Sequence, residues 1–189
     1  MDIELNTLLV ALMFVTILSM GIGSILTALA DVLNHATSSR RGGLHVAWIV
    51  LMLIVHLNLF WNTRAILQVE SWGFAGFLLT IAGPVLLYFC TGVLLTNPSA
   101  ADDADLRRFF RRLGQRFFLL FAAVQAWSLL IAFALAGRLM GGDYAHVGFL
   151  VLALALAAIP NERAQVVGVW LAWLLGLGVL GISWAASGG

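Results

Sequence analysis

Apolar residues fall in six runs, at about 3–29, 44–67, 72–95, 117–136, 144–159 and 164–185, with short polar stretches between them. Five of these runs have roughly the 20 residues that a helix needs to cross a hydrocarbon layer about 30 Å thick. The run at 144–159 is shorter, and Pro160 limits its end. It reads as a tilted short crossing or a re-entrant segment. Asn97-Pro98 stops the third run, and Pro84 is expected to kink it. The pattern predicts an all-α membrane protein, a bundle of six transmembrane helices forming one integral domain over residues 1–189.

The polar stretches carry an orientation signal. Arg40, Arg41, Arg107, Arg108, Arg111, Arg112, Arg116 and Arg163 lie in alternate connections, against Arg64 and Arg138 in the others. Arginine concentrates on the cytoplasmic side of short loops. Both termini are therefore expected on the periplasmic side. Losing the fifth crossing would move the C-terminus inside.

The stretch at 99–114 has its own period. Ser99 and Asp102 read as a capping box, and Leu106, Phe109, Phe110, Leu113 and Phe117 share one sector of a helix. Arg107, Arg108, Arg111 and Arg112 occupy the opposite side. This predicts an interfacial amphipathic helix before the fourth crossing, with Arg116 at its end, attracted to anionic lipid by about 1 kcal/mol per arginine. The alternative is one helix running on into the fourth crossing, with Gly114 as a break.

The second run, His45 to Arg64, carries polar groups at depths where they are costly. At 100° per residue, His45, His56 and Phe60 fall within about 60° of one another, with Arg64 at the edge of that sector. Asn58 and Asn62 share another face. A buried imidazole suits a proton relay or pH gate, and equally a hydrogen bond that holds helices together. Thr16, Thr80 and Gln125 are the partners expected for His56. Gln125 and Ser128, three apart on the fourth run, form a further polar face. Asn62, Arg64, Gln68 and Glu70 together suggest an outer vestibule that captures a polar solute or ion. The plainer reading is a solvated rim, with Arg64 snorkelling to headgroups or pairing with Glu70.

Small residues at helical spacing mark expected helix contacts. They are Thr16, Ser19, Gly23 and Thr27 in the first run; Gly76, Thr80 and Gly83 in the third; and Gly168, Ala172 and Gly176 in the sixth. Trp61 and Trp72 fit an outer aromatic belt. Trp48, Trp127, Trp170 and Trp173 read as core packing or as the walls of a ligand pocket.

Composition agrees with a lipid solvent. The chain is 62% hydrophobic and 10% charged, with a mean hydropathy of +1.01, whereas soluble domains are about one quarter charged. A net charge of +1 gives no reason to expect nucleic acid. Ten arginines and no lysine exclude a lysine Schiff base. A single cysteine, Cys90, excludes an intrachain disulfide or a multi-cysteine metal site. No cleavable signal peptide is apparent, since the first apolar run is too long and begins with Asp2 and Glu4. No cofactor is predicted. His45 and His56 stand about 16 Å apart along one helix, so haem would need a second helix, with His146 as the remaining intramembrane option. No nucleophile–base pair, carboxylate dyad or phosphate-binding loop occurs, which argues against an enzyme.

The second run with Phe60-Trp61-Asn62, the Trp72-Gly73-Phe74 start of the third, its Leu87-Tyr88 with the later Pro98, and the Asp105 to Phe110 segment resemble small polytopic bacterial inner-membrane proteins. That resemblance implies the bacterial inner membrane and no particular activity. The residues themselves suggest passage of an ion, proton or small polar solute, as a homo-oligomer among membrane lipids. Two alternatives stand beside this: a membrane-embedded ligand or pH sensing module, and an accessory subunit of a larger membrane complex.

Overall fold

The computed structural model describes residues 5–34, 40–69, 72–96, 103–137, 143–159 and 161–186. It contains six α-helices: α1 (Leu5–Asn34), α2 (Arg40–Trp61), α3 (Phe74–Leu95), α4 (Asp103–Ala136), α5 (Asp143–Ala158) and α6 (Glu162–Ala186). A 3-10 helix, Asn62–Gln68, continues from α2. No strand occurs among the described residues.

Among the described residues, four segments are long and apolar enough to cross a membrane: Leu5–Asn34, Gly43–Gln68, Phe74–Leu95 and Gly114–Ala134. Helix α5, at 16 residues, falls short, as does the apolar Arg163–Gly178 stretch of α6. Helices suit this solvent because each satisfies its own backbone hydrogen bonds where no water can. The outer surface agrees. Leu5, Leu33, Phe74, Trp170 and Leu174 are each at least two-thirds exposed, from 67% to 80%, and side chains this apolar suit acyl chains rather than water.

Helix ends follow local chemistry. Asn161 caps α6, its Oδ1 accepting the Arg163 backbone N–H at 3.1 Å. Gly137, at φ 66°, closes α4 in the left-handed region that glycine enters freely, and its N–H donates to the Phe133 carbonyl at 2.8 Å. Helix α3 continues through Pro84.

The separate amphipathic helix expected over 99–114 is instead the first part of α4, from Asp103. Gly114 does not break it. A Cβ there would lie 3.2 Å from the Gln165 amide nitrogen, so this glycine makes room for the Gln165 side chain reaching across from α6. At 34 residues, α4 is about 50 Å long by helical rise, longer than the hydrocarbon layer is thick.

Contacts place the helices in a closed ring, α1–α3–α4–α5–α6–α2, with α2 and α3 also touching. The start of α2, the end of α3, the first third of α4 and the start of α6 meet at one end of the bundle. The starts of α1 and α3 meet at the other, where the Thr7 hydroxyl donates to the Val69 carbonyl at 3.2 Å. Aromatic rings fill the space inside. Trp48 meets Phe117 and Phe118 edge-on at 5.5 and 5.3 Å, and Phe121 reaches Phe149 of α5 at 5.8 Å.

The small-residue faces divide. Gly168 and Ala172 of α6 are buried, and a Cβ on Gly168 would come within 2.6 Å of Leu156. Gly83 of α3 lies under the Trp127 ring. The face expected to pack α1 points outward instead: Thr16, Ser19, Gly23 and Thr27 are all exposed. The Thr16 and Thr27 hydroxyls are satisfied within their own helix, donating to the Leu12 and Gly23 carbonyls at 2.7 and 3.0 Å. The packed stripe is Val10, Phe14, Leu18, Gly21 and Ile25. Phe14 and Leu18 bury far more apolar surface than Thr16 or Ser19, so the larger side chains win the interior. It follows that Thr16→Val should change unfolding free energy in mixed micelles by less than about 0.5 kcal/mol, as for other surface substitutions.

Candidate functional site

His56 is fully buried, and it meets its own helix at Met52 and α1 at Gly21. Its Nδ1 lies 2.8 Å from the Met52 carbonyl oxygen one turn earlier. A carbonyl only accepts, so Nδ1–H donates and the neutral ring carries its lone pair on Nε2. That nitrogen is shut off from solvent and has no hydrogen-bond partner. It faces Gly21 so closely that a Cβ there would collide with the ring. The partners expected for His56, namely Thr16, Thr80 and Gln125, are not the ones it uses. Glycine at position 21 is the feature that lets the imidazole lie against α1.

Gln125, only 2% exposed, turns to α5 rather than α2. Its Oε1 accepts the His146 Nδ1–H at 2.8 Å. Ser128 donates back to the Val124 carbonyl at 3.1 Å within α4. The described hydrogen bonds therefore do not join the polar residues of α2 and α4 to one another. Interhelical hydrogen bonds in membranes average about 0.6 kcal/mol and reach about 1.7. Gln125→Leu is accordingly expected to cost about 1 kcal/mol of unfolding free energy. Adding His146→Leu should recover part of that loss, because the stranded ring donor goes with it.

The outer candidates sit where α2 becomes 3-10. Asn58 is half-buried, while Asn62, Arg64 and Gln68 are exposed. The Arg64 guanidinium lies 4.3 Å from the centre of the Trp61 ring, a cation–π contact at the rim of the apolar region. Glu70 lies outside the described residues, as do the side chains of Arg107, Arg108, Arg111 and Arg112, whose backbone is helical. Arg116 is exposed. Among the described residues, no group of three or more His, Cys, Asp or Glu side chains could hold a metal ion.

Two of the spaces lined by described residues bear on function, and neither is lined by His56, Asn62, Arg64 or Gln68. One, of about 580 Å³, is an open groove between the starts of α1 and α3, against Leu9, Met13, Trp72 and Phe77. The other, of about 40 Å³, lies at the opposite end, where α2, α3, α4 and α6 converge. His45, Trp48, Gly114, Phe117, Phe118 and Gln165 line it. His45 is thus brought together with Trp48 and Gln165, and it is separated from His56 by the buried Ile49 and Met52. Gln165 went unmarked in the sequence because a single glutamine near the start of an apolar run resembles any interfacial residue. Its place above Gly114, two helices away in the chain, has no sequence signal.

No protein-family model matches this chain, and no curated protein or solved structure is significantly similar to it.

Proposed function

We propose that this chain is a membrane-embedded binding and sensing module of the bacterial inner membrane. In this reading it has six crossings, both termini lie on the periplasmic side, and the arginine-bearing start of α4 lies against the cytoplasmic leaflet. The observation that carries it is the small cavity of His45, Trp48 and Gln165, whose far wall is Gly114 and Phe117 of α4. A ligand seated there presses on a helix that runs unbroken into residues 103–113. A shift of α4 at Gly114 therefore moves Arg107, Arg108, Arg111 and Arg112 against the lipid surface or a partner. The test uses protein extracted into nanodiscs with its native lipid. Native mass spectrometry should find a retained adduct in the wild type and none in Gly114→Leu, which fills the cavity. Equal spectra for the two proteins would count against the module.

A second reading has support from the outward face of α1. Thr16, Ser19, Gly23 and Thr27 present a small, hydroxyl-bearing surface on which a second copy of the chain can approach closely. Passage of an ion, proton or small polar solute would then run between copies rather than through one bundle. Liposome flux separates the readings. Flux at the level of protein-free vesicles favours the module. Flux that scales with protein and falls in Thr16→Leu/Gly23→Leu favours a conducting homo-oligomer.

A further inference from the structure

Helix α5 does not begin level with the end of α4. Phe149 of α5 meets Phe121 of α4 edge-on at 5.8 Å, and the His146 Nδ1–H donates to Gln125 Oε1 at 2.8 Å. These two pairs set an antiparallel register that puts Asp143, the first residue of α5, opposite residues 127–128 of α4. The apolar segment of α4 runs on to Ala134, so α5 starts about 10 Å inside it by helical rise. Helix α6 also outreaches α5. A Cβ on Gly148 would lie 3.2 Å from Leu175, which sets Asp143 opposite about residue 180 while α6 continues to Ala186. A carboxyl group and an imidazole thus stand at a depth where ionisable groups are costly.

The arrangement there suits one chemistry. Asp143 and His146 are three apart, on one face of the start of α5, and the carboxylate acts electrostatically on the ring. Gln125, 2% exposed, fixes that ring by accepting its Nδ1–H. The neutral imidazole therefore keeps its lone pair on Nε2. Nδ1 donates in the imidazolium as well, so a proton added at Nε2 leaves the bond between α4 and α5 in place. The positive end of α5 opposes such a charge, and the Asp143 carboxylate favours it. Both residues are half-buried, whereas His56 is sealed. Helix α5 packs on α4 and α6, and neither carries a titratable residue between Phe117 and Ala136 or between Ala164 and Ala186. Tyr144, on the same turn as Asp143, is 66% exposed. Arg138 lies outside the described residues.

We propose that Asp143 and His146 form a proton-binding site within the bilayer, with His146 Nε2 as the acceptor, the Asp143 carboxylate as its counter-charge and Gln125 holding the ring. The proton comes from water, the Nε2 lone pair takes it, and no bond between the helices breaks. This site stands apart from the Trp48 cavity and requires only that α4 crosses the membrane.

The experiment is ¹⁵N-imidazole NMR of the full chain in phospholipid nanodiscs, titrated with acid. The chain has four histidines, and His146 is the ring missing in His146→Gln, whose amide N–H can still donate to Gln125. If that variant does not fold, His146 is the ring that persists through His35→Gln, His45→Gln and His56→Gln. Before acidification the ring is expected as the Nδ1–H tautomer. On acidification Nε2 should take up a proton reversibly while the rest of the spectrum stays that of the folded bundle. Asp143→Asn should weaken this uptake about tenfold, the lower end of the effect of a nearby opposite charge, and Asp143→Glu should restore most of it. Val147, exposed beside the pair, should show contacts to lipid chain methylenes. A ring that stays neutral until the bundle unfolds overturns the site, and so does an Nε2–H tautomer. Uptake as strong in Asp143→Asn as in the wild type overturns the pair, because the ring then answers to water alone. Contacts from Val147 to water without any to lipid chains overturn the placement within the bilayer.

Discussion

Gly83→Ala should lower the unfolding free energy by about 3 kcal/mol, the upper part of the range for overpacking a well-filled core. A Cβ on Gly83 would fall inside the contact distance of three carbons of the Trp127 ring. An aromatic ring does not yield as a flexible side-chain end does. This one is also tethered, its Nε1–H donating to the Leu79 carbonyl at 2.6 Å on the turn before Pro84. Moving the ring away would break that hydrogen bond, and moving the backbone would separate α3 from α4. Unfolding in mixed micelles measures the loss. Trp127→Ala alone should cost about 3–5 kcal/mol from lost packing. The double variant should be scarcely less stable than Trp127→Ala, since the collision has gone. Strictly additive losses would sink this account.

Gly21→Ala should cost about 2 kcal/mol by the same physics at the α1–α2 contact. The added methyl would meet the His56 ring, whose Cδ2 would lie 2.8 Å away. The imidazole cannot swing aside without giving up its bond to the Met52 carbonyl. Gly21→Ala/His56→Ala should recover most of the Gly21→Ala penalty relative to His56→Ala, a coupling of about 1 kcal/mol or more in a double-mutant cycle. The same pair bears on function. If His56 served a polar path, His56→Ala would change flux or ligand response. If it serves packing, the variant loses stability and keeps its response at the Trp48 cavity.

These two contacts show where sequence reading stops. His56 is conspicuous in an apolar run, and its burial follows from the cost of placing an imidazole in hydrocarbon. Its partner does not follow. Helical period relates His56 to His45 and Phe60 on α2, yet it says nothing of which face of α1 comes opposite. Thr16 and Gly21 both stand on α1, five residues apart. Only the rotation of α1 about its axis makes Gly21 the neighbour and turns Thr16 to the lipid. Gln125 was recognisable as a polar residue requiring a partner, but the pairing of α4 with α5 gives it to His146 instead of to α2.

Tryptophans divide in the same way. Trp61 lies exposed at the rim, consistent with a belt position, and Trp170 is 68% exposed. Trp48 and Trp127 are core residues. Nothing in their neighbouring residues distinguishes those roles. A glycine on another helix does so for Trp127, and two phenylalanines on α4 do so for Trp48.

By itself, the order of residues determined the solvent and the secondary structure. Long apolar runs with few charges belong in hydrocarbon, and there an unpaired backbone must become helix. It also set the start of α6 and the end of α4, because Asn161 and Gly137 act on backbone groups within a few residues. Tertiary structure alone decided which side chains meet. Helical period fixes angles within one helix and leaves free the rotation of each helix against the next, and that rotation placed Gly21 under His56, Gly83 under Trp127 and Gln165 over Gly114.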